Sequence, residues 1–131
     1  MEIGEELPEK VQYITQDSIY RYAYATGDFN PIHVDEEFAK GTAFKGTIAH
    51  GFYLLAFISE LMTRKFGKRW TNSGRLDVKF KRPVRPGDKI TLKATLKGRH
   101  QTDGCFRLVF DAVWENQMHE PVLLGEVSIL E

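Results

Sequence analysis

Ala49-His50-Gly51-Phe52-Tyr53-Leu54-Leu55-Ala56-Phe57-Ile58-Ser59-Glu60-Leu61-Met62-Thr63-Arg64-Lys65-Phe66-Gly67 is the stretch that decides the fold. Phe52, Leu54, Leu55, Phe57, Ile58, Leu61, Met62 and Phe66 leave hardly any polar face before Arg64 and Lys65, and a helix that is apolar nearly all round must be buried nearly all round. Arg64, Lys65 and Lys68 complement the C-terminal end of its dipole, and Gly67 is placed to supply a left-handed cap. Something further along the chain has to shield this helix. Beyond Trp70 the apolar period becomes two: Leu76, Val78 and Phe80 alternate with Asp77, Lys79 and Lys81, and Ile90, Leu92, Ala94 and Leu96 alternate with Thr91, Lys93 and Thr95. Phe106 to Trp114 continues the alternation, and Val122 to Leu130 is a last apolar run after Pro121. These read as half-buried antiparallel strands joined by turns at Pro86-Gly87-Asp88, Thr102-Asp103-Gly104 and Asn116-Gln117. An antiparallel sheet packed on one buried helix, an α+β arrangement, satisfies both patterns.

Upstream of the helix the segments are short. Val11 to Ile14 reads as a strand, Thr15 or Asp17 as the cap of a helix running through Ile19 and Tyr24 to Gly27, and Asp35 as the cap of a turn from Glu36 to Lys40 that stops at Gly41. Between these two helices lies Tyr24-Ala25-Thr26-Gly27-Asp28-Phe29-Asn30-Pro31-Ile32-His33, with a carboxylate and an imidazole five positions apart around an Asn-Pro turn. Pro31 fixes its own φ and pushes Asn30 towards extended geometry, while Gly27 permits a left-handed turn. If Asp28 and His33 face the same side, one water can be oriented by both and deprotonated as it attacks.

Gly27-Asp28, Asn30-Pro31 and His33 resemble the hydratase motif of the MaoC-like dehydratase family, which includes R-specific enoyl-CoA hydratases and hydroxyacyl dehydratases. Ala43-Phe44, Ile48-Ala49-His50-Gly51, Phe80-Lys81-Arg82-Pro83-Val84 and Pro86-Gly87-Asp88 follow in the same order, so the resemblance runs from about Val11 to Glu131. It implies a single hot-dog domain over residues 1–131, an antiparallel sheet wrapped around a long central helix, and a homodimer or higher homo-oligomer. It also implies addition of water to a trans-2-enoyl thioester, or its removal from an R-3-hydroxyacyl thioester. CoA or an acyl carrier protein's phosphopantetheine would then enter as part of the substrate, with no cofactor and no metal.

Such a reaction needs a base for water, a proton donor for C2 and a stabiliser for the thioester oxygen. Asp28 and His33 are expected to share the water, either one acting as base, and the backbone N–H of Gly51, unpaired at a helix start, to meet the developing oxyanion. Asn30 is expected beside the substrate, chiefly tying the loop. Ser59 is expected to line the acyl pocket, although it lies eight residues past Gly51, about 12 Å along the axis. Lys81, Arg82 and Arg85, with Lys79, are candidates for the carrier's phosphates, although alternating basic residues also mark an ordinary solvated face. His50 reads as a structural helix-start residue. His33, Asp35 and His50 invite a metal reading, but their spacing fits no closed ligand set. Two other functions fit the fold: a thioesterase, against which the Gly27-Asp28-x-Asn30-Pro31-x-His33 loop argues, and a non-catalytic partner subunit of a heterodimeric dehydratase, a kind that lacks the Asp/His pair.

Lys plus Arg equals Asp plus Glu at 18 each, so no global positive field exists to gather nucleic acid or an anionic membrane. The chain of 131 residues suits one domain. Its single Cys105 has no partner for an internal disulfide, and no base near it in sequence to make it a nucleophile. Met1 to Lys10 carries four glutamates and no apolar segment, unlike a secretory signal, and the longest apolar run, Phe52 to Ile58, is seven residues. A soluble cytoplasmic protein is the expectation.

Overall fold

Burial of one helix organises the molecule. The computed structural model describes residues 1–131. Helix α4, Gly51–Phe66, buries Leu54, Phe57, Ile58, Leu61, Met62 and Phe66, which recur at helical spacing. Each such side chain contributes about 1.5–3 kcal/mol over its exposed state, which outweighs propensity differences of under about 1 kcal/mol per residue. Ahead of α4 come β1 (Lys10–Tyr13), α1 (Gln16–Thr26), α2 (Pro31–Val34) and α3 (Glu36–Lys40); after it come α5 (Lys68–Ser73), β2 (Arg75–Phe80), β3 (Lys89–Thr102), β4 (Cys105–Glu115) and β5 (Pro121–Leu130). No helix is long and apolar enough to cross a membrane.

The five strands form one antiparallel sheet in the order β1-β3-β4-β5-β2. Its inner face stacks Leu92, Trp114 and Leu123, then Ala94, Ala112 and Gly125, then Leu96, Phe110 and Val127 across β3, β4 and β5. Trp114 is fully buried, and its indole N–H donates to the Leu54 carbonyl of α4 at 2.9 Å, pinning helix to sheet. The β3–β4 hairpin turns through Asp103 (φ 44) and Gly104 (φ 84), the left-handed pair that a tight two-residue turn requires.

The local reading of α1 and α3 matches the structure. Thr15 caps α1 by accepting from the Ser18 amide, Gly27 ends it at φ 80, and Asp35 caps α3 by accepting from the Phe38 amide. Three features differ from the sequence reading. Gly67 has positive φ but ψ −129, outside the left-handed helical region, and the chain turns at once into α5, where a connection to the sheet was expected. Trp70 explains this: its indole N–H donates to Ser59 Oγ at 3.1 Å and folds α5 back along α4. Pro31–Val34 is a helical turn within what reads as a loop. Strand β2 is an edge strand whose Leu76 and Phe80 are 39% and 57% exposed, not half-buried, because the single chain lays nothing over that part of the inner face.

Candidate active site

The motif loop is held from both ends. Gly27 donates back to the Ala23 carbonyl, the Asp28 amide donates to Thr26 Oγ1, and Asp28 Oδ1 accepts from the Asn30 amide at 3.2 Å. Asn30 (φ −53, ψ 126) then caps α2 by accepting from the Ile32 amide. The short turn that follows carries His33. Its ring Nδ1 lies 2.8 Å from the Ile48 carbonyl, and the Ile48 amide donates to the Ile32 carbonyl at 3.2 Å. A carbonyl only accepts, so Nδ1 carries the hydrogen and neutral His33 keeps its lone pair on Nε2.

Gln16 braces this arrangement. Its Nε2 donates to the His33 carbonyl at 2.9 Å, and its Oε1 accepts from the Thr47 hydroxyl at 2.6 Å. Nothing in the sequence singles out Gln16, whose partners lie 17 and 31 residues away.

One donor atom from each of Asp28, His33 and His50 lies within 4.8 Å of the others, so the two expected proton-handling side chains do converge. His50 joins them. It is 1% exposed, its ring stacks on His33 with centroids 3.9 Å apart and 26° between planes, and its Nε2 lies 3.0 Å from the Asp28 backbone carbonyl. Tyr22 covers the cluster, 4.7 Å from the His50 ring. Burial pushes the Tyr22 phenol above its usual range, and the Asp28 carboxylate adds to the effect. Burial likewise holds His50 below the ordinary histidine value; the bond to the Asp28 carbonyl opposes this, His33 reinforces it, and the Asp28 charge opposes it. As a metal set the three are poorly aimed. In-plane lone pairs of rings so nearly parallel do not meet within about 2.0–2.1 Å of both nitrogens, the reach of a zinc ligand, unless a ring turns.

A cleft of about 360 Å³ is lined by His33, Gly51, Leu54, Phe80, Lys81 and Arg82; of the cluster only His33 belongs to the lining, and Asp28 and His50 stand behind it. Gly51 is the first residue of α4, where the helix offers its N–H no carbonyl, and His50 supplies no side-chain cap. The Phe80 ring lies so close that a Cβ on Gly51 would meet its Cε1 at 2.7 Å.

The other residues singled out in the sequence lie elsewhere or have partners. Asn30 spends its side-chain oxygen on capping α2. Ser59 is not among the residues lining the cleft, and its hydroxyl accepts from Trp70. Arg85 lies outside the lining, its amide bonded to Asp88 Oδ2 at 2.9 Å, and Arg82 pairs with Glu120 at 3.4 Å.

A sheet of this order curled on a buried helix is the hot-dog fold, and close matches among solved structures bear that out. The Aeromonas caviae (R)-hydratase involved in PHA biosynthesis superposes with a TM-score of 0.82 at 27% identity, covering 100% of this chain and 98% of that one. Residues 2–110 match the model of the MaoC like domain, and the chain belongs to that family. Among curated relatives, the (R)-specific enoyl-CoA hydratase of Rhodospirillum rubrum is 40% identical over 89 residues, 65% of this chain and 59% of the relative. The 3-hydroxyacyl-thioester dehydratase Z of Mycobacterium tuberculosis matches with the same figures. The chain thus aligns with less than two thirds of the length of these relatives.

Proposed function

We propose that this chain, as one hot-dog domain, hydrates trans-2-enoyl thioesters to R-3-hydroxyacyl thioesters and catalyses the reverse dehydration, without a metal or resident cofactor. The observation that carries this reading is that Asp28 lies within 4.8 Å of His33, and His33 in turn lines a cleft shared with the uncapped start of α4, so Asp28 reaches the cleft through its neighbour His33. His33 Nε2, left with the lone pair by the Ile48 contact, takes a proton from water, and the Asp28 carboxylate orients that water. The water oxygen bonds to C3 as the C2–C3 π pair moves toward the thioester carbonyl. The Gly51 N–H meets the oxyanion, and the proton held on His33 passes to C2, which balances the addition. Lys81 and Arg82, both in the cleft lining, would meet phosphates of CoA or of a carrier-bound pantetheine, Arg82 in competition with its pairing to Glu120. Asn30 acts through the loop, and Ser59 and Arg85 have no part in this cleft. The expected state is a homodimer, since Phe52 beside Gly51, and Phe80 and Leu76 on the edge strand β2, are exposed.

Incubation with crotonyl-CoA, following enoyl absorbance and free thiol separately, tests the reading. Absorbance loss without thiol release is the expected result. Thiol release would assign a thioesterase, and silence across a panel of longer acyl chains would leave a subunit that only shapes another's pocket.

A further inference from the structure

The proposed reaction uses Asp28, His33 and the Gly51 amide and gives no task to the imidazole buried between them. His50 touches both proton-handling residues: its ring covers a face of the His33 ring at 3.9 Å, and its Nε2 reaches the Asp28 carbonyl at 3.0 Å. The carbonyl only accepts, so Nε2 bears the hydrogen and Nδ1 of the neutral ring keeps a lone pair. That Nδ1 is buried and no protein group donates to it. An unsatisfied buried acceptor costs about 1–3 kcal/mol. Leucine or phenylalanine would fill the same space without that cost, so packing alone does not account for a histidine here; its donor does. Nor does His50 cap α4, although it stands at the cap position.

We propose that His50 is a positioning residue, a neutral clamp that sets the placement of the Asp28 carboxylate relative to His33 Nε2. The kinetic part of this inference rests on the hydration reading; the tautomer and charge of His50 do not. Two restraints meet on each partner. Asp28 is fixed on its side-chain side by the Asn30 amide and on its backbone side by His50. His33 is fixed along one edge by the Ile48 carbonyl and across one face by the His50 ring. Either restraint alone leaves a rotation free, and a displacement of about 1 Å at a reacting group costs about 10²-fold in rate.

Neutrality belongs to the design. A charged His50 would set a cation against the His33 ring as His33 takes a proton from water, opposing that transfer. The groups facing His50 are Tyr22 of α1, Asp28 of the motif loop and His33 of α2. Only Asp28 favours the charged ring; burial and His33 favour the neutral one.

Three variants of the full chain separate the two contacts: His50→Phe keeps a ring without a donor, His50→Gln keeps a donor without a ring, and His50→Leu keeps neither. With crotonyl-CoA, kcat is expected to fall about 10²-fold in His50→Leu with little change in KM, and each of the other two variants to recover part of that loss. Wild-type kcat in all three, or a rise in KM at unchanged kcat, would overturn the clamp. Nitrogen NMR of the wild-type imidazoles tests the same idea without turnover or a folded variant. The expected spectrum shows His50 as the neutral Nε2–H tautomer at neutral pH, gaining charge only below the ordinary histidine range as pH falls. A charged or Nδ1–H His50 would overturn it. An inactive wild type with the expected spectrum would sink the hydration reading and leave the imidazole geometry standing.

Discussion

Asp28 and His33 differ in what their second atoms are committed to, and this sets what each substitution removes. His33 depends on Ile48 for its tautomer, so His33→Ala deletes both base and orientation. Asp28→Asn keeps an oxygen for the Asn30 amide and removes only the charge facing the water. Both variants are expected to lower enoyl-CoA hydration about 10²–10⁴-fold, with melting temperature nearly unchanged because neither residue belongs to the 23-residue core. Parallel melting curves and steady-state rates check this, and near-normal turnover in either variant would remove that residue from the mechanism. His50 makes a separate prediction about pH. The fold favours its neutral form, whereas an unfolded histidine binds a proton near about pH 6.5. Below that value the unfolded chain holds more protons, so the His50 contribution to stability is present above about pH 6.5 and declines as pH falls toward the lower folded-state value. Urea unfolding on either side of that window should show a steeper acid loss in the wild type than in His50→Gln; equal slopes would mean His50 titrates alike in both states. Asp28, His33 and Gly51 were legible in the sequence as candidates, the first two because a compact motif carries them and Gly51 because it opens the apolar run of α4. His50 and Gln16 were not, because their roles come from contacts with residues 17 to 31 positions away.

At the scale of elements, two glycines at close approaches predict opposite outcomes. A methyl on Gly125 would lie 2.1 Å from the Asp77 carbonyl oxygen and 2.6 Å from Val78 Cα, both backbone atoms of the paired strand β2. Neither can rotate away, so Gly125→Ala must part β2 from β5 and is expected to cost about 3 kcal/mol, the upper part of the overpacking range. A methyl on Gly51 would instead meet the ring edge of Phe80, the far end of a side chain that can turn about its own bonds, as the backbone atoms facing Gly125 cannot. Gly51→Ala is therefore expected to leave stability within about 1 kcal/mol of wild type while reducing turnover, because methyl and displaced ring both crowd the amide at the head of α4. Urea midpoints and hydration rates together discriminate the two; a turnover loss from Gly125→Ala alone would reverse the assignment. Long periodic segments, α4 and β3 to β5, were readable because burial imposes their period. Helix α5, with the sequence Lys68-Arg69-Trp70-Thr71-Asn72-Ser73, has no apolar period, and its placement follows from tertiary bonds: Trp70 donates to Ser59 of α4, and Ser73 accepts from Arg107 of β4 and from the Leu130 amide of β5.

At the scale of the molecule, periodicity supplied a sheet and a buried helix, while strand order and the wrapping of one around the other came with the family resemblance. The one strand whose burial was misread, β2, shows why the rest was not legible: alternation marks which face is apolar but not which molecule covers it. In the single chain Leu76, Phe80 and Phe52 remain 39%, 57% and 73% exposed, and β2 has an unpaired edge. An edge strand with exposed apolar side chains is an association hazard unless something specific covers it. A second copy meets that need with the same surface on both sides, the commonest closed arrangement. Sedimentation equilibrium is expected to give about twice the 15.1 kDa chain mass. The melting temperature should rise with protein concentration, because dissociation accompanies unfolding in such a dimer. Leu76→Lys places a charge on the exposed apolar side and should shift the sedimenting species to the monomer and abolish that concentration dependence, leaving far-ultraviolet dichroism intact. A wild-type protein that sediments at the mass of one chain at all concentrations would show that β2 and the start of α4 face water, and would overturn the homodimer.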